Sequence, residues 1–178
     1  FPFHEIYSSG RMGENGFRKK KLGIAVFASG CFWSKEYFFG QAEGVVATRV
    51  GYTGGHTENP TYKEVCSKTT GHAEAVEISF DPSVTSFEVL ARFFFELHDP
   101  TVDRRGNGGQ YRSAIFYQNE RQKAIAQELI EALQSNGFSV ATQLEPAGPF
   151  WQAEARHQKY CDARGIPPKS SYQPRFGK

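Results

Sequence analysis

The feature that most constrains the fold is a short apolar run over residues 22–28, which Ser29-Gly30 interrupts before a helix-like segment begins. A run of this length, rich in β-branched and aromatic side chains, is typical of a buried strand. The densest apolar patch elsewhere, Phe93-Phe94-Phe95, is flanked on both sides by charged residues. No apolar run approaches the ~18 residues that a membrane-spanning helix needs. We therefore expect a globular protein built around a sheet of short strands.

Strand and helix signals continue along the chain in a regular order. Thr85, with Glu88 three residues later, matches a capping box, and Asn119 is a second candidate N-cap. Gly165 is a candidate helix stop. The patterns predict strands over 22–28, 45–52, 72–80, 111–117 and 141–144, helices over 32–39, from Thr85 to Leu97, from Asn119 to Gly137 and over 153–164, and loops over 56–71 and 98–110.

This order predicts the α+β class. We expect a two-layer sandwich with a central mixed β-sheet, a ferredoxin-like β-α-β-β-α-β core, and extended, loop-rich N- and C-terminal segments. The length of 178 residues suits one domain. We assign residues 1–178 to a single domain with an N-terminal arm, 1–20, and a C-terminal tail, 166–178.

The net charge of +2 is too small to indicate nucleic-acid binding. Basic residues concentrate in 1–21 and 165–178, including the run Arg18-Lys19-Lys20-Lys21, which we interpret as a solvated lead-in to the first strand. We expect neither a nucleic-acid nor a membrane partner, and we expect a monomer. The expected location is the cytoplasm, with the periplasm or secretion as the alternative if a signal peptide was removed before Phe1.

Cys31 is the candidate nucleophile. It follows the first strand and Gly30 and opens a helix, whose N-terminus carries free N–H donors and partial positive charge that favour a thiolate. The alternative is a small packing residue, which is common for a free Cys. Phe32 and Trp33 are either core residues or the walls of an apolar pocket for a small group such as a methyl.

Glu74 is the candidate proton donor. In the alternating strand 72–80, it shares a face with Val76, Ile78 and Phe80, which are apolar. A carboxyl group among apolar side chains has a raised pKa and can stay protonated near neutral pH. The alternative is a residue at the strand end that reaches solvent.

Other site types find little support. The three cysteines include no Cys-x-x-Cys pair and the five histidines are scattered, so we expect no metal site. His72 and His98 are interpreted as structural. The sequence has neither a P-loop nor a G-x-S-x-G motif, which removes two common enzyme classes.

A series of short motifs resembles the methionine sulfoxide reductase A family, in order from about residue 24 to 160. The matches are Gly30-Cys31-Phe32-Trp33 with Glu36, Gly51-Tyr52-Thr53-Gly54-Gly55, Pro60-Thr61-Tyr62, Val65-Cys66-Ser67, Gly71-His72-Ala73-Glu74, His98-Asp99-Pro100-Thr101, Gln110-Tyr111-Arg112-Ser113, and Ala153-Glu154 with His157-Gln158.

The resemblance implies reduction of the S-epimer of methionine sulfoxide, free or in proteins, as a repair reaction. Cys31 would attack the sulfoxide sulfur, and Glu74 would protonate its oxygen with help from the hydroxyls of Tyr62 and Tyr111. Phe32 and Trp33 would hold the substrate methyl. Cys31 would become a sulfenic acid, which thioredoxin or another thiol reductant finally removes. No metal or organic cofactor is implied.

Two departures from the family pattern affect the site. The usual Gly-Asn-Asp-x-Gly loop is shortened to Gly106-Asn107-Gly108-Gly109, so the family's pocket Asp has no direct counterpart. Asp103 and the amide of Asn107 are candidates to replace it. The tail lacks the resolving Cys that many relatives carry there.

Cys161 is therefore the favoured resolving thiol, although its predicted place in the last turn of a helix disfavours a thiolate. Cys66 is interpreted as structural, and recycling by an external thiol is the alternative. A non-catalytic binder of oxidised methionine and a thiol peroxidase remain alternative functions.

Overall fold

A computed structural model describes Gly10–Arg11, Phe17–Arg18 and residues 21–177. The short strands β1 (Gly10–Arg11) and β2 (Phe17–Arg18) pair in antiparallel fashion. The rest of the predicted arm, 1–20, lies outside the described residues. The main sheet contains β3 (Gly23–Ser29), β4 (Val45–Thr53), β5 (Ala73–Phe80), β6 (Ser113–Tyr117), β7 (Gln143–Pro146) and β8 (Trp151–Gln152).

Five helices within residues 21–177 accompany the sheet. They are α1 (Phe32–Gly40), α2 (Tyr62–Cys66), α3 (Phe87–Glu96), α4 (Glu120–Ser135) and α5 (Tyr160–Arg164), and two 3-10 turns lie at Asn107–Gly109 and Ala155–His157. No helix among the described residues is both long and apolar enough to span a membrane.

The strand order is β7-β6-β3-β5-β4-β8. All neighbouring pairs are antiparallel except β6 and β7, which are parallel. The central order β6-β3-β5-β4 is the one that a split β-α-β-β-α-β unit produces, because β3 and β4 leave room for β5 between them. The predicted α+β class with a mixed sheet and a ferredoxin-like core is confirmed.

The main core lies between the sheet and its helices. Phe27 of β3 stacks on Phe39 of α1, with 5.4 Å between ring centroids, and on Phe94 of α3 at 4.9 Å. The predicted inner face of α3 is buried, with Phe87, Leu90, Phe94 and Leu97 at most 5% exposed. The opposite sheet face carries smaller side chains, among them Ala28, Ala73, Ala75 and Ala114.

Two predicted caps differ in outcome. Asn119 caps α4 as expected, since its side chain accepts from the Gln122 N–H at 2.9 Å. The Thr85 capping box is wrong, because the Ser86 hydroxyl instead accepts from the Val89 N–H at 3.1 Å and α3 begins one residue later.

A capping box does occur at Thr61 and Glu64, within the predicted loop over 56–71, where it opens α2. The pattern of a Thr three residues before a Glu is present at both places, so the pattern alone does not locate the helix.

The predicted helix over 153–164 is confirmed only for its last part, α5 (Tyr160–Arg164). Before it, Trp151–Gln152 extends the sheet beside β4, a 3-10 turn follows, and Lys159 adopts the left-handed conformation with φ of 53°. Buried Glu36 stabilises this break, since it accepts from the Lys159 backbone N–H at 2.8 Å and from its Nζ at 3.0 Å. Gly165, with φ of 65°, ends α5 as predicted.

The tail forms neither helix nor strand over residues 166–177. It nevertheless docks at the end of α3, where the Gln173 N–H donates to the Glu96 carbonyl at 2.8 Å. Arg175 donates from Nε to the Phe95 carbonyl at 2.9 Å and from Nη2 to the His98 carbonyl at 3.0 Å. These contacts fix the tail next to the end of β3, where the candidate site lies.

Candidate active site

Cys31 lies between the end of β3 and the first residue of α1. Gly30 adopts φ of 92°, a conformation that favours glycine, and thereby turns the chain from strand to helix. Cys31 is the N-cap residue of α1 with an extended backbone, and it is exposed. The predicted strand-to-helix placement of an accessible thiol is therefore present.

The electrostatic environment of Cys31 is less favourable to a thiolate than the sequence predicts. The backbone N–H groups of Trp33 and Ser34 do lower the pKa of the thiol, as expected at a helix start. Removal of water by the surrounding protein is the larger effect, however, and the nearby Glu74 carboxylate acts in the same direction. The pKa of Cys31 is therefore raised, although Lys35 counteracts part of the increase.

Glu74 points to the apolar helix side of the sheet, as its alternation with Val76 predicts, and is only 2% exposed. Its Oε1 accepts from the Phe32 backbone N–H at 3.2 Å, and its Oε2 accepts from Gln110 Nε2 at 2.8 Å. Burial raises the pKa of this carboxyl, while both hydrogen bonds lower it to a smaller extent. The first bond places Glu74 beside the residue that follows Cys31.

Two tyrosines lie next to this carboxyl. The hydroxyl of Tyr62 interacts with that of Tyr111, and Tyr62 also interacts with the Cys66 thiol. Burial raises the pKa of both tyrosines, and the charge of Glu74 raises it further. Both hydroxyls therefore keep their protons near neutral pH and can donate hydrogen bonds.

Cys161 is brought close to the same helix start. Its thiol lies 3.5 Å from the Trp33 carbonyl oxygen, and it interacts electrostatically with Cys31. It is the second residue of α5, so its predicted location in the last turn of a long helix is wrong. Burial raises the pKa of its thiol. Cys31, Cys66 and Cys161 are all free thiols.

Phe32 and Trp33 have different surroundings. Phe32 is 1% exposed and packs between Tyr52 and His157, with ring centroids 5.8 Å and 5.6 Å away. Trp33 is half-buried, stacks on Tyr160 at 3.8 Å, and donates from Nε1 to His157 Nδ1 at 3.0 Å. The structure therefore favours the core alternative for Phe32, while Trp33 is half-buried and its ring also stacks on His157 at 5.7 Å.

Comparisons with known proteins identify the family of the chain. The family model described as peptide methionine sulfoxide reductase matches residues 23–175. The chain belongs to this family. The peptide methionine sulfoxide reductase MsrA of Methanosarcina acetivorans is 49% identical over 148 residues, which cover 80% of this chain and 79% of that protein. Family membership makes the protein an oxidoreductase.

Solved structures of one relative are similar as well. The reduced form of Mxr1 from Saccharomyces cerevisiae superposes with a TM-score of 0.78 at 30% identity, over 87% of this chain and 93% of that chain. The same protein in complex with Trx2 gives a TM-score of 0.59 at 25% identity, over 87% and 91% of the two chains.

The two candidates to replace the pocket Asp of peptide methionine sulfoxide reductases are not equally placed. Asp103 is exposed and pairs with Arg105 at 2.7 Å, which holds the pKa of its carboxyl well below its usual range. Asp103 is not among the residues that line the cavity of about 500 Å³ at Cys31, and its carboxylate is engaged by Arg105. Asn107 lines a cavity of about 320 Å³ together with Gln110 and Tyr111.

Sequence reasoning assigned no role to Gln110, although it belongs to one of the motifs that resemble the family. Its amide donates to Glu74 and lies 3.4 Å from Cys66 Sγ, while Lys68 Nζ donates to its Oε1 at 2.7 Å. Cys66 therefore lies beside the Gln110–Glu74 pair. The useful signal would have been the Gln110 amide next to the buried Glu74 carboxyl. This contact depends on how the 98–112 segment packs against β5, which the local sequence does not show.

A polar cavity of about 500 Å³ opens beside Cys31 and was also not predicted. Its wall includes Ser29, Lys35, Asp99 and Arg104, and the tail closes it with Arg175 and residues 170–173. No group of three or more His, Cys, Asp or Glu side chains within residues 21–177 is arranged to hold a metal ion.

Proposed function

We propose that Cys31 carries the reductase chemistry on the S-epimer of methionine sulfoxide, free or in proteins. The single observation that supports this most strongly is the 3.2 Å hydrogen bond from the Phe32 N–H to Glu74, because it sets an exposed thiol beside a buried carboxyl. Cys31 attacks the sulfoxide sulfur, methionine leaves, and the oxygen remains on Cys31 as a sulfenic acid. The substrate sulfur is reduced by two electrons and the Cys31 sulfur is oxidised by two.

Glu74 acts as the general acid in this proposal. Burial raises the pKa of its carboxyl, which favours the protonated form, and the two hydrogen bonds from Phe32 and Gln110 fix the orientation of the group. Tyr62 and Tyr111 donate hydrogen bonds to the sulfoxide oxygen as negative charge develops on it. The half-buried Trp33 contacts the substrate methyl in this proposal.

Recycling uses Cys161 as the resolving thiol. Its Sγ lies 3.5 Å from the carbonyl of Trp33, two residues after Cys31, which supports an encounter between the two sulfurs. Attack of Cys161 on the sulfenic acid forms a disulfide and releases water. Thioredoxin or another thiol then reduces that disulfide, and the structure of the relative Mxr1 in complex with Trx2 supports thioredoxin as the donor.

Separated sulfoxide epimers test the proposal. A peptide that contains the S-epimer should be converted to the methionine peptide in the presence of dithiothreitol, while the R-epimer persists. Cys31→Ser should abolish conversion, whereas Cys161→Ser should retain it, since dithiothreitol replaces the resolving thiol. Conversion by Cys31→Ser, binding without turnover, or a preference for peroxide would contradict the proposal.

A monomer in the cytoplasm completes the proposal. The sheet ends in two short edge strands, β7 with Pro146 and the two-residue β8, which offer little backbone for pairing with a second copy. The three free thiols fit a reducing compartment. Light scattering should give 20.0 kDa, and cell fractionation should place the protein with cytoplasmic markers; a dimer mass or a periplasmic fraction would contradict these points.

A further inference from the structure

Two cationic side chains lie beside Cys31 without a counter-charge. Lys35 and Arg104 line the cavity of about 500 Å³ that opens at Cys31. Within residues 21–177, neither forms an ion pair with a carboxylate. Burial lowers the pKa of Lys35, the charge of the Cys31 thiolate raises it, and the charge of Arg104 lowers it to a smaller extent. An anion bound between them would remove this repulsion.

The position of Arg104 connects this cavity to the reaction centre. Its guanidinium lies 5.0 Å from the centroid of the Tyr111 ring. A Cβ built on Gly30 would lie 3.4 Å from Arg104 Nη1, so the guanidinium is next to the turn that presents Cys31. An anion at Arg104 is thereby held close to a substrate that reacts with Cys31.

The rest of the cavity wall does not neutralise the two cations. Asp99 is a carboxylate of that wall, and it already accepts from the Thr101 N–H at 3.0 Å and the Thr101 hydroxyl at 2.6 Å. His98 is neutral, because burial lowers its pKa to about 4. Arg175 adds a third cation, although backbone carbonyls occupy its donors. The wall therefore carries more positive than negative charge.

Ser29 is a buried polar residue in the wall of this cavity. It lines the same cavity, is 6% exposed, and its hydroxyl has no hydrogen-bond partner within the described part of the chain. Buried hydroxyls are nearly always hydrogen-bonded in folded proteins. The oxygen of this hydroxyl is itself enclosed by protein, so Ser29 forms part of the wall and does not identify the ligand.

We propose that Lys35 and Arg104 bind a carboxylate that the substrate carries next to its sulfoxide. This inference rests on the proposed function and specifies its substrate class. Ammonium and guanidinium groups both form short, charge-assisted hydrogen bonds to carboxylates. The carboxylate comes either from an acidic residue adjacent to the oxidised methionine or from the α-carboxylate of free or C-terminal methionine sulfoxide.

The test compares kcat/KM for S-epimer peptides of one sequence with dithiothreitol as reductant. One pair has Asp or Asn next to the sulfoxide, and a second pair ends in methionine sulfoxide with a free carboxylate or a carboxamide. In the wild type, kcat/KM for the carboxylate member of at least one pair should be about fivefold to tenfold higher than for its neutral partner. This ratio is larger than a fully exposed ion pair would give. The pair that shows the preference identifies the source of the carboxylate.

Lys35→Gln and Arg104→Gln should each bring that ratio close to one, mainly by raising KM for the acidic peptide. Arg121→Gln is the matched control, because Arg121 is exposed on α4 and does not line the cavity. Ratios of one in the wild type with normal turnover would overturn the carboxylate site alone. An equal loss of kcat/KM on every peptide in both variants would also overturn the carboxylate site, since the two cations would then act on Cys31 only. No turnover with any peptide would overturn the proposed function as well.

Discussion

Cys31 and Glu74 both lie at the first turn of α1, where the Phe32 N–H donates to the carboxyl that we propose as the proton donor. Sequence reasoning found both residues, because the strand-to-helix turn and the alternation in β5 are local patterns. It overestimated how strongly the helix start favours a thiolate, since the desolvation that raises the pKa of Cys31 depends on packing from distant segments. Gln110 was missed for the same reason.

The pH dependence of the rate should reveal these two groups. The reactive form needs Cys31 deprotonated and Glu74 protonated, and both pKa values are raised. As pH rises, the thiolate fraction increases while the protonated carboxyl decreases, so kcat/KM should be flat between the two pKa values and fall on both sides.

Glu74→Gln should change the shape of this profile. The amide can still donate a hydrogen bond but does not titrate, so kcat/KM should rise about tenfold per pH unit up to the pKa of Cys31. At neutral pH the variant should be slower than the wild type by about 10²-fold, the lower end of general-acid contributions. A plateau of the wild-type shape in Glu74→Gln would exclude Glu74 as the proton donor.

Among the elements, the four core strands and the helices α1, α3 and α4 are predictable from apolar periodicity and end signals. The segments that sequence analysis misplaced are short: α2, β8 and α5 have five, two and five residues. Their conformation is imposed by tertiary contacts, as when Glu36 holds Lys159 in the left-handed conformation. Local sequence carries little information on contacts of that kind.

The start of α3 allows a direct comparison of two candidate caps. Ser86→Ala should lower the free energy of unfolding by about 1 kcal/mol, because it removes the acceptor of the Val89 N–H. Thr85→Ala should have a clearly smaller effect, since its hydroxyl caps nothing at the helix start. Urea unfolding of the two variants measures both free energies. A larger loss in Thr85→Ala than in Ser86→Ala would instead identify Thr85 as the cap.

The docking of the tail should depend on Arg175, whose side chain bonds the Phe95 and His98 carbonyls. In Arg175→Ala, hydrogen exchange over residues 170–176 should become faster, most clearly at the Gln173 amide that bonds Glu96. Lys169→Ala, at an exposed tail position, is the control and should exchange like the wild type. Unchanged exchange in Arg175→Ala would show that other contacts hold the tail.

At the level of the whole molecule, chain segments far apart in sequence converge on one end of the sheet. Cys31 lies near the beginning, Glu74 and Tyr111 in the middle, and Cys161 near the end of the described residues. The tail then closes the cavity next to Cys31. The assignment of residues 1–178 to a single domain stays a prediction. Of the arm, residues 1–20, the structure describes β1 and β2, and these four residues do not show how the arm relates to the main sheet.

Single-turnover stoichiometry tests the central claim, that Cys31 is the nucleophile, most directly. Reduced protein is mixed with an excess of the S-epimer peptide in the absence of reductant, and product and cysteine oxidation states are followed by mass spectrometry. The account predicts one methionine peptide per chain together with a Cys31–Cys161 disulfide, and in Cys161→Ser a Cys31 sulfenic acid. Release of methionine with Cys31 still reduced, or equal release by Cys31→Ser, would contradict it.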